Sequence, residues 1–379
     1  MSNDPQTQVV EAERVLAQEP ANAVAMLQLA DGLMDLNDCD RALTTYRRAL
    51  TLRTPFPEAH HNLAVALLHL GNFEDAIQEC RLAIAERPGY GLAWNTLGAA
   101  LGKVGRIDDA IAAFQQALHH QPNYAKAYHN LGNVLDQVGR FDDAKQAYRS
   151  ALAINPILEE AQYDLAALGD GPQPPATPGS YLVRLFDTYA RSFEQHLVEK
   201  LDYQVPEILC RAVMATGPDS GLEVIDLGSG TGLVGKCFRG LAAHLTGIDI
   251  SPGMIRKAER LQVYDRLVLG DVQVYLAARQ EPCDLILAAD VFIYIGDLAA
   301  VFQNVARLLR PGGLFAFSLE TTSQGDFCLR RNRRYAQSLA YIERLAGQNR
   351  LATVTSEPVQ LRQGPSTEGR IILLRSLRQ

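Results

Sequence analysis

The chain has 379 residues, with 36 Lys and Arg against 43 Asp and Glu for a net charge of −7, and 47% of it is apolar; this balance excludes a disordered polyelectrolyte and predicts a globular protein of two or three domains. No run of about 18 uncharged apolar residues occurs, and the start MSNDPQTQVVEAER lacks the basic-then-apolar order of a secretory leader, so a cytoplasmic protein without membrane contact is expected. Six scattered cysteines without a C-x-x-C pair leave no metal site or disulfide scaffold to expect, and the mild acidity counts against a general nucleic-acid binder.

From residue 23 the sequence repeats. Segments starting at Ala23, Pro57, Gly91 and Ala125 align without gaps, giving repeats 23–56, 57–90, 91–124 and 125–158. One offset carries Ala42, Ala76, Ala110 and Ala144, another Ala30, Ala64, Gly98 and Gly132, and a third Asn37, Gly71, Gly105 and Gly139. Small residues on facing surfaces let two helices pack closely, and the Gly or Asn between them supplies the positive φ that ends the first. Trp94 with Leu97, and Tyr128 with Leu131, are expected to fill the space the small residues leave. Helix-like stretches before Pro20 and over 159–168 read as caps, so the all-α domain is taken as 1–169.

The pattern Trp94-x-x-Leu97-Gly98 through Ala110, Phe114, Ala117 and Pro122 resembles the tetratricopeptide repeat (TPR). That resemblance implies a superhelix whose first helices line a groove for a protein or peptide partner. Positions five and six of the repeats include His61, Asn95 and His129, and Gln28, Asn62 and Asn130. Such a ladder suits hydrogen bonding to an extended peptide, and it equally suits solvated helix positions. The lysine with which chaperone-binding members grip a terminal carboxylate is absent from position five.

Residues 170–180, DGPQPPATPGS, hold four prolines and can neither continue a helix nor feed a sheet ladder, so they are expected to form a stiff spacer. A third segment, 181–379, follows. It opens with helical stretches over 181–201 and 206–215. An apolar run at 223–227 then turns directly into Gly228-Ser229-Gly230-Thr231-Gly232 before a helical segment at 233–241. Strands are predicted at 244–250, 267–269, 284–289 and 314–319, alternating with helices, and two more at 352–360 and 370–375. This alternation indicates a doubly wound, Rossmann-like parallel sheet.

The G-x-G-x-G turn preceded by Asp226, with Asp249 and Asp271 closing the next two strands, resembles class I S-adenosylmethionine-dependent methyltransferases from about Tyr181 onward. Taken whole, the chain resembles bacterial TPR-containing predicted methyltransferases. The resemblance implies S-adenosyl-L-methionine as cofactor. Gly228, Ser229, Gly230 and Gly232 would pass beneath it, and Asp226 would orient its ammonium group. Asp249 would accept the ribose hydroxyls, Ile250 would press on the adenine, and Asp271 with Val272 would bind the adenine edge. Asp290 would border the reacting methyl, and Tyr189, on a lid helix with Phe193, would exclude water.

Methyl transfer to a carboxylate needs no base, whereas a hydroxyl or amine must lose a proton. His196, Asp290 and Tyr294 are the candidates, with Tyr335 beside them; each also reads as structural. Arg330, Arg331, Arg333 and Arg334 form a dense basic cluster, read either as a receptor for an anionic acceptor or as a solvated helix start. Ala289-Asp290-Val291-Phe292 lacks the paired prolines usual in nucleic-acid amino methylation, which points away from that acceptor. A small-molecule or partner-delivered acceptor is expected. Protein methylation with a TPR-selected substrate, and a catalytically silent TPR scaffold, are the alternatives.

Overall fold

The computed structural model describes residues 4–190, 204–361 and 368–378. The chain divides into two compact units, Met1–Leu165 and Ala166–Gln379. Among the described residues no helix is long and apolar enough to cross a membrane.

In the first unit α1 (Pro5–Gln18) precedes four helix pairs. These are α2 (Ala23–Asp35) with α3 (Cys39–Leu52), α4 (Pro57–His69) with α5 (Phe73–Glu86), α6 (Gly91–Lys103) with α7 (Ile107–His120), and α8 (Ala125–Gln137) with α9 (Phe141–Ile154). The next helix in the chain is α10 (Glu159–Ala167). Each first helix ends where Asn37, Gly71, Gly105 or Gly139 takes a left-handed φ of 62° to 84°. The following amide then reaches back to a carbonyl in the last turn, as Arg106 does to Leu101 (3.0 Å) and Arg140 to Leu135 (2.9 Å).

Packing within the pairs is complementary in volume. A Cβ on Gly98 would stand 2.8 Å from the Phe114 ring, and one on Gly132 would stand 2.5 Å from Tyr148. At the same two offsets α4 and α5 carry Ala64 and Cys80, and α2 and α3 carry Ala30 and Tyr46, all buried. The rings packed on the two glycines are Phe114 and Tyr148. Trp94, expected to fill space between the helices, is partly buried against the same core and also donates its indole N–H to the Pro88 carbonyl at 2.8 Å.

The second unit contains α11 (Gly179–Ala190), α12 (Val205–Met214), β1 (Leu222–Leu227), α13 (Leu233–Phe238), β2 (Ala242–Asp249), α14 (Pro252–Leu261), β3 (Arg266–Leu269), α15 (Val272–Ala278) and β4 (Cys283–Ala288). After a 3-10 turn at Phe292–Tyr294 come α16 (Ala299–Leu308), β5 (Leu309–Glu320), β6 (Phe327–Leu329), β7 (Tyr335–Gln337), α17 (Leu339–Gln348), β8 (Leu351–Gln360) and β9 (Glu368–Ser376). The main sheet has the order β3-β2-β1-β4-β5-β9-β8, with parallel pairing from β3 to β5 and antiparallel pairing at β9 and β8. Neighbouring residues along a strand face opposite layers. Val224, Leu285 and Leu314 pack with Leu209 and Val213 of α12, while Ile225, Ile286 and Phe315 join Val305 of α16 and Ile342 of α17. The sheet order reverses between β1 and β4, which opens a crevice at the carboxyl ends of those strands.

Two stretches differ in detail from the sequence reading. The proline-rich stretch, expected as a stiff spacer, is fastened along the second unit. Gln173 Oε1 accepts from Leu329 N at 3.0 Å, the Pro174 carbonyl from the Tyr335 hydroxyl at 2.8 Å, and the Pro175 carbonyl from Gly296 N at 2.8 Å. Thr177 N donates to the Tyr294 carbonyl at 2.9 Å. Prolines lack a donor but keep their carbonyls, so the strap serves mainly as an acceptor. The arginine cluster starts no helix; it forms the turn between β6 and β7.

Candidate functional site

At the switch point a cavity of about 380 Å³ opens, within the range of roughly 300–1,000 Å³ typical of small-molecule sites. Its floor is the turn after β1. Gly228 and Gly230 adopt φ of +66° and +54°. A Cβ on Gly228 would stand 2.7 Å from Val291 Cγ2, and one on Gly230 would meet only the Gly228 carbonyl at 4.0 Å and fill open space instead. Ser229 and Thr231 line the cavity, and their buried hydroxyls have no hydrogen-bond partner.

Asp249 closes β2 on one wall. Its Oδ2 accepts from Gly230 N at 2.8 Å and its Oδ1 from Ser251 N at 2.9 Å, so one side chain fixes both the glycine turn and the start of α14. Burial pushes its carboxyl above the ordinary carboxylate range, against the backbone donors that draw it down. Each carboxylate oxygen keeps a second acceptor direction. Asp271 follows β3 and caps α15, its Oδ1 accepting from Gln273 N and Val274 N. Both aspartates line the cavity, as do Ile250 and Val272.

Asp290, after β4, also lines the cavity. It holds a left-handed φ of 57°, with its N–H donating to the buried Ser318 hydroxyl at 2.8 Å and its Oδ1 accepting from that hydroxyl at 3.1 Å. Tyr294 closes the same side, its ring edge-on to Phe186 at 5.4 Å between centroids. Tyr189 of α11 joins the lining and is 42% exposed.

Several expected site residues lie elsewhere. Asp226 is fully buried behind the turn rather than in the cavity wall; its Oδ2 accepts from the Tyr264 hydroxyl at 2.7 Å and its Oδ1 has no partner. Burial pushes its carboxyl up to about 7, with the Tyr264 hydrogen bond opposing and the Asp249 charge adding to the shift. Gly232 faces Leu261 and Tyr264 instead of the cavity. Tyr335 is fully buried and anchors the strap, which removes it as a base. His196 and Phe193 lie outside the described residues.

In the first unit the amide-rich ladder is turned on itself. His129 is 1% exposed and its Nε2 lies 2.8 Å from Asp164 Oδ2. Asn130 donates to Asn95 at 2.9 Å, His61 Nε2 is 3.2 Å from Thr96 Oγ1, and Asn62 donates to Asp31 at 2.9 Å. These side chains form lateral rungs between successive first helices. His129 and Asn95 are too buried to present themselves to a peptide. Gln28 is exposed, with its backbone carbonyl accepting from Gln8 at 3.1 Å.

Sequence reasoning missed two residues of the site's frame. Asp187 of α11 accepts from the Ser251 hydroxyl at 2.6 Å and from Gly253 N at 2.9 Å, pinning the covering helix to the start of α14. Tyr264 sits in a slot left by absent side chains: a Cβ on Gly235 would be 2.4 Å from its ring, and one on Gly247 2.8 Å. Three glycines near a lone aromatic were the available signal.

Comparison with known proteins assigns the class of each part. Residues 225–317 match the methyltransferase-domain family, and residues 27–91 and 91–156 match two tetratricopeptide-repeat families. The chain thus carries a methyltransferase domain behind TPR repeats. It is 33% identical over 111 residues to the ubiquinone biosynthesis O-methyltransferase of Xylella fastidiosa, covering 28% of this chain and 45% of that protein. It is 30% identical over 98 residues to the malonyl-[acyl-carrier protein] O-methyltransferase of Serratia marcescens, covering 26% and 38%. The chain therefore spans about half or less of the length of these curated relatives. A crystal structure of MamA is 26% identical over 39% of this chain and 86% of its own, with a TM-score of 0.36.

Proposed function

We propose that the protein is an S-adenosylmethionine-dependent methyltransferase acting on an oxygen of a small or partner-delivered acceptor, with the repeat unit binding a protein or peptide partner. One observation carries this reading. Aspartates ending two consecutive strands border a cavity floored by a glycine turn, and two hydroxyls in that floor lack partners. The residues present fit the cofactor. Gly230 gives it space, the Ser229 and Thr231 hydroxyls have bonding capacity to offer, and Asp249 is held by backbone donors with acceptor directions left for paired hydroxyls. Asp271 and the start of α15 suit an adenine edge.

When bound, the cofactor supplies an electrophilic methyl on a sulfonium. The chain's own contribution is positioning and exclusion of water. Phe186, Tyr189 and Tyr294 give the cavity an aromatic wall, and aromatic faces favour a neighbouring cation. Asp290 and Tyr294, both in the cavity lining, are the groups we assign to take up a proton from a hydroxyl acceptor. Oxygen as the methylated atom is supported by the two relatives, both named O-methyltransferases and matched over this half.

Calorimetric titration of the full-length chain with S-adenosylmethionine tests the reading. Saturable uptake is expected, weakened about thirtyfold in Asp249→Ala, which removes roughly 2 kcal/mol of interaction. No uptake by the wild type would leave a helical docking array and a catalytically silent sheet.

A further inference from the structure

The cavity that holds three aspartates also receives Asn332, Arg333 and Arg334 from the β6–β7 turn. That turn is tightly built. Arg333 N donates to the Arg330 carbonyl at 2.8 Å, and Arg330 N to the Arg334 carbonyl at 2.8 Å. The last residue of such a loop must be left-handed, and glycine is the usual occupant. Here Arg333 takes the position, at φ 60°. A strained residue kept at the edge of a cavity points from backbone to function.

The base of the turn is anchored by a buried charge. Glu320, 1% exposed, accepts from Arg330 Nη1 at 2.9 Å and meets Arg334 Nη1 at 3.5 Å. Arg330 also donates to the Thr321 carbonyl at 2.5 Å. Arg334 thus touches Glu320 through one nitrogen, and the remaining donors of its guanidinium fork suit a two-oxygen anion. Tyr181, Leu182 and Leu185 of α11 give the same cavity an apolar face.

We propose that the methyl acceptor is an amphipathic oxyanion, a carboxylate or phosphate on an apolar body, whose charged group is received by Arg333 and Arg334. This rests on the methyltransferase reading above. The apolar body lies against α11, and the oxyanion is a recognition handle that a neutral analogue lacks.

Full-length protein saturated with S-adenosylhomocysteine is titrated with octanoate, octyl phosphate and octan-1-ol, which share one alkyl body and differ in the head group. At least one anion is expected to bind about tenfold more tightly than the alcohol, as a charge-assisted fork contact requires. In Arg333→Gly, where glycine relieves the left-handed strain, that advantage should fall below about threefold while S-adenosylhomocysteine affinity stays within about twofold. Arg334→Lys keeps the Glu320 pair but loses the fork and should fall between. The preferred anion identifies the head group. Equal binding of the alcohol, no binding of any probe, or an advantage that survives Arg333→Gly overturns the proposal. If the wild type takes up no S-adenosylhomocysteine, the methyltransferase reading itself has failed, and this inference falls with it.

Discussion

Asp226 shows how one buried atom can register in solution. Its carboxyl, pushed up to about 7 by burial, holds its proton in the folded chain over a range where the unfolded chain has released it. The resulting stabilisation is complete below about pH 4 and is lost as pH rises to about 7, a change of roughly 4 kcal/mol. Replacing Asp226 with Asn should flatten that slope, which denaturant unfolding of wild type and variant at about pH 4.5 and 7.5 would read. Identical slopes in the two proteins would show that the carboxyl titrates normally. The residue also marks a limit of motif reading. An acid two places before a glycine turn is visible in sequence, but whether it faces ligand or core depends on Tyr264, which arrives from beyond α14 to occupy space that three glycines leave.

At the scale of elements, the strap over 172–177 has the composition of a protease-sensitive linker, yet its backbone is tied into the second unit. Limited proteolysis of the full chain with a broad-specificity protease should therefore yield no primary cut within 172–177; early cleavage there would show that the strap is open in solution. The parallel strands and the glycine turn were legible because each is written in a contiguous run of residues: apolar stretches, Gly at a tight bend, Asp at strand ends. The strap was not, because its partner Leu329 is 156 positions away from Gln173 and nothing local announces it. The β6–β7 hairpin was hidden for another reason. Its strands are three residues each, too short for alternation to show, and its turn carries arginine where glycine would have signalled a loop.

Over the whole molecule, the two units cohere by different means. The second is held by strand pairings distant in sequence, the first by contacts that recur from one repeat to the next. Asp164→Ala should cost the first unit about 2–3 kcal/mol by stranding the buried His129 ring, and pairing it with His129→Leu should recover much of that. Thermal unfolding of the full chain, followed by helical circular dichroism, would show both effects; a double variant no better than the single would mean that packing, not the polar pair, carries the joint. The His61, Asn95 and His129 rungs each reach a partner 35 residues ahead. If residues 91–124 were excised, His61 would come to face Asn130 in place of Thr96, a side-chain amide where a hydroxyl now stands. Lineages can therefore lengthen or shorten this scaffold in whole modules without inventing a new joint.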